Sequence, residues 1–560
     1  MKRIRQATLA IGTGLVLVAC ANWFEPDRTA RAPVLEGFGT LAWKVTTTQP
    51  AAQRLFTQAM LQAYAFNERE AVRDFKAALA ADPNCAMCAW GVAYALGPNI
   101  NHTERGDLSD ARRHIAYAQR HAAAATPRER GLIEALALRY AEDGKLPAQD
   151  APLAAGSCGA AGQPQAHPLD VAYARKMRAL SDAYPDDPEI TSFYAEAVII
   201  ATPADLWDRK TGAPAPEADE IVRRLESALA KAPEHTGLNH YLIHALDQSP
   251  TPQRAEAAAD RLGRLAAQSP HLVHMPAHIY VKVARYGDAR RVNEEALAAE
   301  LSQAAQMRAQ QFEPVLNWDQ HNVHFLWFAA LMDGHAELAL AQARRLATLA
   351  AGRQSAYAEY LRSLPALTLA RLGRWNEVLN EPELQGESGV AQGLRDYARG
   401  IALLRSGPPD AARAAAAALQ QRLDSAATAQ ARNEFARSAL EVLNTSLHAE
   451  LLAASGDLDG ARRGFERAAE LEDALEANEP PLLAAHARLA LGDALLRAQR
   501  APEAEAAFRS DLTHQPGSGW ALRGLHGALL QQGKQAEAAQ VQRELARAWP
   551  GADAALKPGA

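Results

Sequence analysis

The 560-residue chain is poor in several things, and each shortage excludes a class of protein. The apolar run near its start, Ala7–Ala19, has 13 residues, and no other stretch approaches the roughly 20 needed to span a bilayer as a helix. Alternating β-branched stretches are almost missing, which excludes a sheet-based fold. There is no glycine-rich phosphate loop, no serine nucleophile elbow and no HExxH string, so the usual nucleotide, serine-hydrolase and zinc-protease arrangements fall away. Cysteines number four, and no histidine follows Cys88 in the CAMC string, which excludes covalent c-type haem. Basic charge is also short: 59 Lys and Arg stand against 65 Asp and Glu, for a formal net charge of −6. Such a chain offers nucleic acid no general electrostatic attraction, and no nucleic-acid partner is expected.

At the start, Lys2, Arg3 and Arg5 precede the short apolar run, which ends in Leu17-Val18-Ala19-Cys20. This resembles the bacterial lipobox, so residues 1–19 read as an export signal and Cys20 as the lipidated first residue of the mature chain. Loss of residues 1–19 removes three basic groups and takes the formal charge from −6 to −9. The expected location is the bacterial cell envelope, lipid-anchored, on the outer membrane facing the periplasm, with residues 20–45 as a tether. An exported chain can hold disulfides, and Cys85 with Cys88 is the candidate pair. Cys158 stands alone in a Gly/Ala/Pro-rich stretch.

From about Gln49 onward the chain is rich in Ala, Leu, Arg and Glu with helical periodicity. Turn signals recur at Gly287, Gly373, Gly456 and Gly533, and a small residue early in each second helix marks a repeat. Ala255 to Ala289, Val378 to Ala412 and Ala504 to Ala538 are each 34 residues apart, the period of the tetratricopeptide (TPR) repeat. The predicted fold is all-α, a TPR-like α-solenoid of ten or more stacked helical hairpins. Repeats bearing histidines are expected over 46–350, plainer repeats over 351–550, and a loose tail over 551–560.

Seven of the 17 histidines lie between His240 and His324. With the small marker residue as position 20, His240 and His244 occupy positions 5 and 9. His271, His274 and His278 occupy 2, 5 and 9, and His321 and His324 occupy 2 and 5. Residues three and four apart share a helix face, and adjacent helices pack at about 8–10 Å. The imidazoles of three helices should therefore converge in the concave groove as ligands for a transition metal, with Zn, Cu and Fe all compatible. Asp247, one turn beyond His244, is a further ligand or a hydrogen-bond acceptor for one. The Gly97-Pro98-Asn99-Ile100-Asn101 break could aim Asn99 and Asn101 at a ligand, and Trp318 could line the groove.

Several strings resemble a largely uncharacterised family of bacterial TPR proteins. They are Tyr64-Ala65-Phe66-Asn67, CAMCAWGVAYALGPNIN from Cys85, HYLIHALDQSP from His240, HLVHMPAHIY from His271 and HNVHFLW from His321, with Asn478-Glu479-Pro480-Pro481 and Gly519-Trp520 further on. The resemblance implies a helical-repeat fold and leaves activity open. Two places depart from its pattern: Glu68 stands where a histidine often follows Phe-Asn, and Leu482 and Leu483 replace aromatics after Glu-Pro-Pro. The leading expectation is a membrane-anchored scaffold that binds a protein or peptide in its groove, beside a histidine metal site. The alternatives are a metal-dependent oxidoreductase or hydrolase, and a metal-free structural scaffold.

Overall fold

The computed structural model describes residues 24–556 except 104, 142–165, 203–205, 209–210, 315–318, 354, 383–388, 429–433, 476–478 and 484–486. Cys20 with its lipobox, Cys158 and Trp318 lie outside the described residues. Within them the chain is helical from Pro50 to Ala548, with a lone β-bridge between Trp207 and Pro214.

Two kinds of helix alternate. The helix Ala218–Lys231 buries Ala218, Ile221, Val222, Leu225 and Leu229, a stripe at three- and four-residue spacing, and turns its charged residues outward. The helix Thr236–Leu246 that follows is buried on nearly every side, from Thr236 to Ile243 and again at Ala245 and Leu246. Outer helices are thus amphipathic, whereas inner ones are sandwiched between neighbours. Successive helices pack against one another along the chain, as hairpins stacked into a solenoid. Start signals are those the sequence shows: Thr126 and Glu129 form a reciprocal capping box ahead of Pro127–Arg139. Turns at Gly373, Gly456 and Gly533 take φ of +71°, +90° and +72°, where a side chain would be strained. At the hairpin containing Gly287 the left-handed residue is instead Ala284, at +62°, and Gly287 lies inside the helix Tyr286–Ala309.

The solenoid is closed by contacts far apart in sequence. Trp520 and Trp549 donate indole N–H bonds to the carbonyls of Leu331 (2.9 Å) and Met332 (2.7 Å), bringing the last repeats back onto the middle. Residues 24–45, expected as a tether, are docked instead. Leu35, Phe38, Trp43 and Val45 are buried, and Val34 exchanges two 2.8 Å hydrogen bonds with Gln310. The described part of the expected tail, residues 551–556, is pinned too: Ala552 and Leu556 are buried and Asp553 N–H donates to Gly334 O. One core cluster runs from Tyr286 to Leu483, continuous across residue 350.

Candidate metal centre

Four helices carry the histidines. His240 and His244 lie on Thr236–Leu246, His271 and His274 on Pro270–His274, His278 on Pro276–Lys282, and His321 on Asp319–Met332. The second and third of these are one run interrupted at Pro276, which has no N–H to donate. Met275 keeps helical angles there, so His274 and His278 still face the same side.

The structure sorts six of the seven histidines into two groups of three. His240, His244 and His271 bring a ring nitrogen each within 4.8 Å of one another, and so do His274, His278 and His321. Each group takes positions 5 and 9 of one repeat and position 2 of the next, so the two triads are successive copies of one arrangement. In the second, His274 Nε2 lies 3.0 Å from both His278 Nε2 and His321 Nε2. In the first, His240 Nε2 and His271 Nε2 are 3.2 Å apart. Nitrogens around a tetrahedral ion with bonds of about 2.0–2.1 Å sit roughly 3.3 Å apart.

The outer nitrogens fix what the inner ones present. His274 Nδ1 lies 2.7 Å from Asn293 Oδ1, and Asn293 Nδ2 donates to Ala289 O, so the amide oxygen must face the ring. His278 Nδ1 contacts the carboxylate of Glu479, and His240 Nδ1 lies 2.7 Å from Tyr64 O. All three partners accept only, which puts a proton on Nδ1, so that each ring when neutral presents Nε2 as a lone pair. With both rings neutral, His274 and His278 point lone pairs at each other across 3.0 Å. Protonation of His274 does not relieve this. Burial first, and neighbouring imidazoles after it, hold His244, His271 and His274 well below the ordinary 6.5. Burial brings His240 and His321 down to about 3. A buried, neutral, convergent set of lone pairs is a cation site.

Carboxylates close around it. Glu479 is also bonded by Gln248 Nε2 at 2.7 Å and lies 3.4 Å from Lys282 Nζ. Burial opposes its charge, but His278 and Lys282 outweigh that and hold it below its ordinary value. Asp247, His278 and Glu479 form a further convergent group, and Asp247 Oδ2 stands 3.8 Å from His244 Nδ1. Each triad also packs on a phenylalanine. Phe66 touches His240, His244 and His271 at 4.7–5.6 Å between ring centres, and Phe325 meets His274, His278 and His321 at 4.6–5.2 Å. Phe66 adopts φ of +50°, a costly conformation for an aromatic residue, held where it walls the first triad.

A cavity of about 570 Å³ touches both triads through His244, His271, His278 and His321. Its other lining residues include Glu68, Asn101, His102 and Met275. Asn99 organises that rim: its side chain donates to Glu68, and its oxygen accepts from the N–H groups of Asn101 and His102. Asn99 thus shapes the turn, while Asn101 faces the chamber. Burial raises Glu68 to about 7, with repulsion from Glu196 adding to it. Glu68 therefore gives the chamber wall a carboxyl that burial holds toward its neutral form.

His324 stands apart. Its Nε2 lies 2.9 Å from Tyr360 OH, its Nδ1 3.2 Å from Tyr357 OH, and its ring stacks on Trp327. By repeat position this is a third layer, with His324 at position 5, Phe328 at 9 and Tyr360 at 2 of the following repeat. Phenylalanine and tyrosine replace two of the three imidazoles, and the layer is closed by ordinary hydrogen bonds. Cys85 and Cys88 form a disulfide at the start of the helix Ala86–Ala95, away from the histidines.

No family model matches the sequence, and no curated protein matches it. Among solved structures the chain is similar to a human IFIT1 dimer with m7Gppp-AAAA, at 12% identity and a TM-score of 0.31 over 90% of this chain and 91% of that one. It is also similar to the P58(IPK) TPR domain, at 11% identity and a TM-score of 0.22 over 86% and 99%. The TPR-like class rests on the hairpins themselves, stacked as an all-α solenoid.

Proposed function

We propose that this solenoid is a transition-metal protein in which each histidine triad holds one ion and the shared chamber receives a small polar ligand. The observation that carries the reading is the set of Nε2 lone pairs in the second triad, turned inward by Asn293 and Glu479. Three imidazoles per ion leave a coordination position open, as in catalytic rather than structural zinc sites. A metal so held supplies Lewis acidity and an activated water. The chain's own part is to keep His240, His244, His271, His274 and His321 neutral, to exclude bulk solvent, and to place Glu68 where it can exchange a proton with a ligand in the chamber. Zn, Cu and Fe all suit imidazole ligands.

Metal-dependent chemistry on a small molecule fits this chamber better than an extended peptide does. Phe66 closes one side of the histidines and the Glu479 segment clamps His278 on another. The scaffold role foreseen from the repeats belongs to the outer faces, where a protein partner has room. Attachment to a membrane through lipid on Cys20 completes the proposal. Cys20→Ser should release the protein from the membrane fraction, and retention there would refute the anchor.

Elemental analysis of protein purified without an affinity tag tests the core claim. Two ions per chain are expected, one lost in His240→Ala/His271→Ala and the other in His274→Ala/His321→Ala, with helix content unchanged in both. Protein that takes up no Zn, Cu or Fe after reconstitution and dialysis would overturn it.

A further inference from the structure

A second cavity lies in the C-terminal repeats, has a volume of about 450 Å³ and is lined by none of the histidines. Four arginines line it, Arg371, Arg405, Arg497 and Arg523, against two carboxyls, Glu450 and Asp493. Glu450 is committed to two of the four, at 2.7 Å from Arg405 and 2.9 Å from Arg497. Asp493 lies on the same wall, and loss of hydration raises it despite Arg371 and Arg497 nearby. Along the cavity wall arginines thus outnumber carboxyls by two, with Asp511 and Glu472 acting on Arg371 from behind it. Arg371 carries that excess most clearly: its guanidinium stacks 4.4 Å from the Trp520 ring centre, and its Nη2 is buried with no hydrogen-bond partner. A buried charged donor left unmet is costly, and an anion is what would meet it. Trp375, Tyr397 and Trp520 supply flat walls, and Trp520 is fixed in place because its indole N–H is bonded to Leu331 O.

We infer that this cavity is a second ligand site, built for a small organic anion with a flat apolar body. Arg371 binds the carboxylate, sulfonate or phosphate, the aromatic walls enclose the body, and exposed Arg523 closes the rim. A polyacidic segment is disfavoured, because Glu450 and Asp493 would face its additional charges. The site stands on its own residues and does not depend on the histidine triads holding metal.

The test uses 8-anilinonaphthalene-1-sulfonate, an anionic aromatic dye that brightens when enclosed, on the full-length protein. One saturable equivalent is expected, displaced by benzoate and weakened by salt. Arg371→Gln should weaken it about tenfold or more, the loss expected for a charged hydrogen bond. His244→Ala/His274→Ala should leave it unchanged. Should Arg371→Gln fail to fold, exposed Arg523→Gln carries the test, with a loss of about threefold, typical of a rim charge. Equal binding by the arginine variants would overturn the proposal. So would displacement by neutral benzamide as effective as by benzoate, or tighter binding of a polyglutamate peptide than of benzoate.

Discussion

A neutral imidazole presents one lone pair, and the partner of its other nitrogen decides which side that lone pair faces. Asn293 performs this service for His274 from 19 residues away, and Glu479 performs it for His278 from 201 residues away. Neither residue shares the 34-residue spacing that makes the histidines conspicuous, so nothing in the pattern ties them to the site. Glu479 lay inside a recognised string, but its contact depends on how the solenoid closes. Asn293→Leu should lower metal affinity at the second triad by about 10–100-fold, the usual cost of losing such a supporting bond. The first triad should keep its ion. Chelator competition, site by site, measures this, and an equal loss at both sites would contradict the assignment. His324 gives the converse. It has the residue type and the register of a ligand, yet its neighbours at the other two layer positions are Phe328 and Tyr360. Replacing His324 with Gln should leave metal stoichiometry as it was.

Within the repeats, the sequence period correctly placed the histidines on one face, because equal spacing in a solenoid means equal position on successive helices. It did not reveal who pairs with whom. Pairs one repeat apart, such as His240 with His274, look like natural partners in the sequence, but each triad draws its third member from position 2 of the next helix. Position 2 of the first histidine repeat is Gly237, and the reason is steric. A Cβ there would lie 2.7–3.0 Å from the Tyr64 ring, and Tyr64 is the residue whose carbonyl holds His240. The glycine lets the helix Thr236–Leu246 close on Pro50–Tyr64. Gly237→Ala should destabilise the protein by about 1–3 kcal/mol through overpacking and weaken the first triad more than the second. Thermal melts and metal titration of the same variant would show both effects. Full retention of first-triad affinity would mean that the Tyr64 carbonyl does not set the His240 tautomer.

Over the whole molecule, composition and repeat spacing made the all-helical solenoid legible, while its closure was not. The docking of Trp520, Trp549 and residues 24–45 depends on accumulated superhelical curvature, which no local pattern encodes. Closure also buries the histidines, and burial makes the fold sensitive to acid. His324, which carries no proposed ion, is held near 3 by burial and secondarily by His321, whereas an unfolded histidine titrates near 6.5. Between those values the unfolded chain binds the extra proton. The His324 contribution is therefore complete above about pH 6.5 and is lost as pH falls toward 3, at up to about 1.4 kcal/mol per pH unit. His240 and His321 act in the same direction in ion-free protein. Glu68 and Glu196 act oppositely, since burial raises both to about 7 and the folded state takes up their protons first. Urea unfolding of chelated protein at pH 7.5, 6 and 5 should show stability falling with pH, because seven histidines are held down against five carboxyls held up, Glu70, Asp74 and Asp493 among them. His324→Gln lacks the titrating ring and should flatten that fall by about one proton's slope, even if its stability at pH 7.5 is lower. Parallel slopes for the two proteins would mean that His324 is protonated in the folded state, and that the layer around Tyr357 and Tyr360 is open to water.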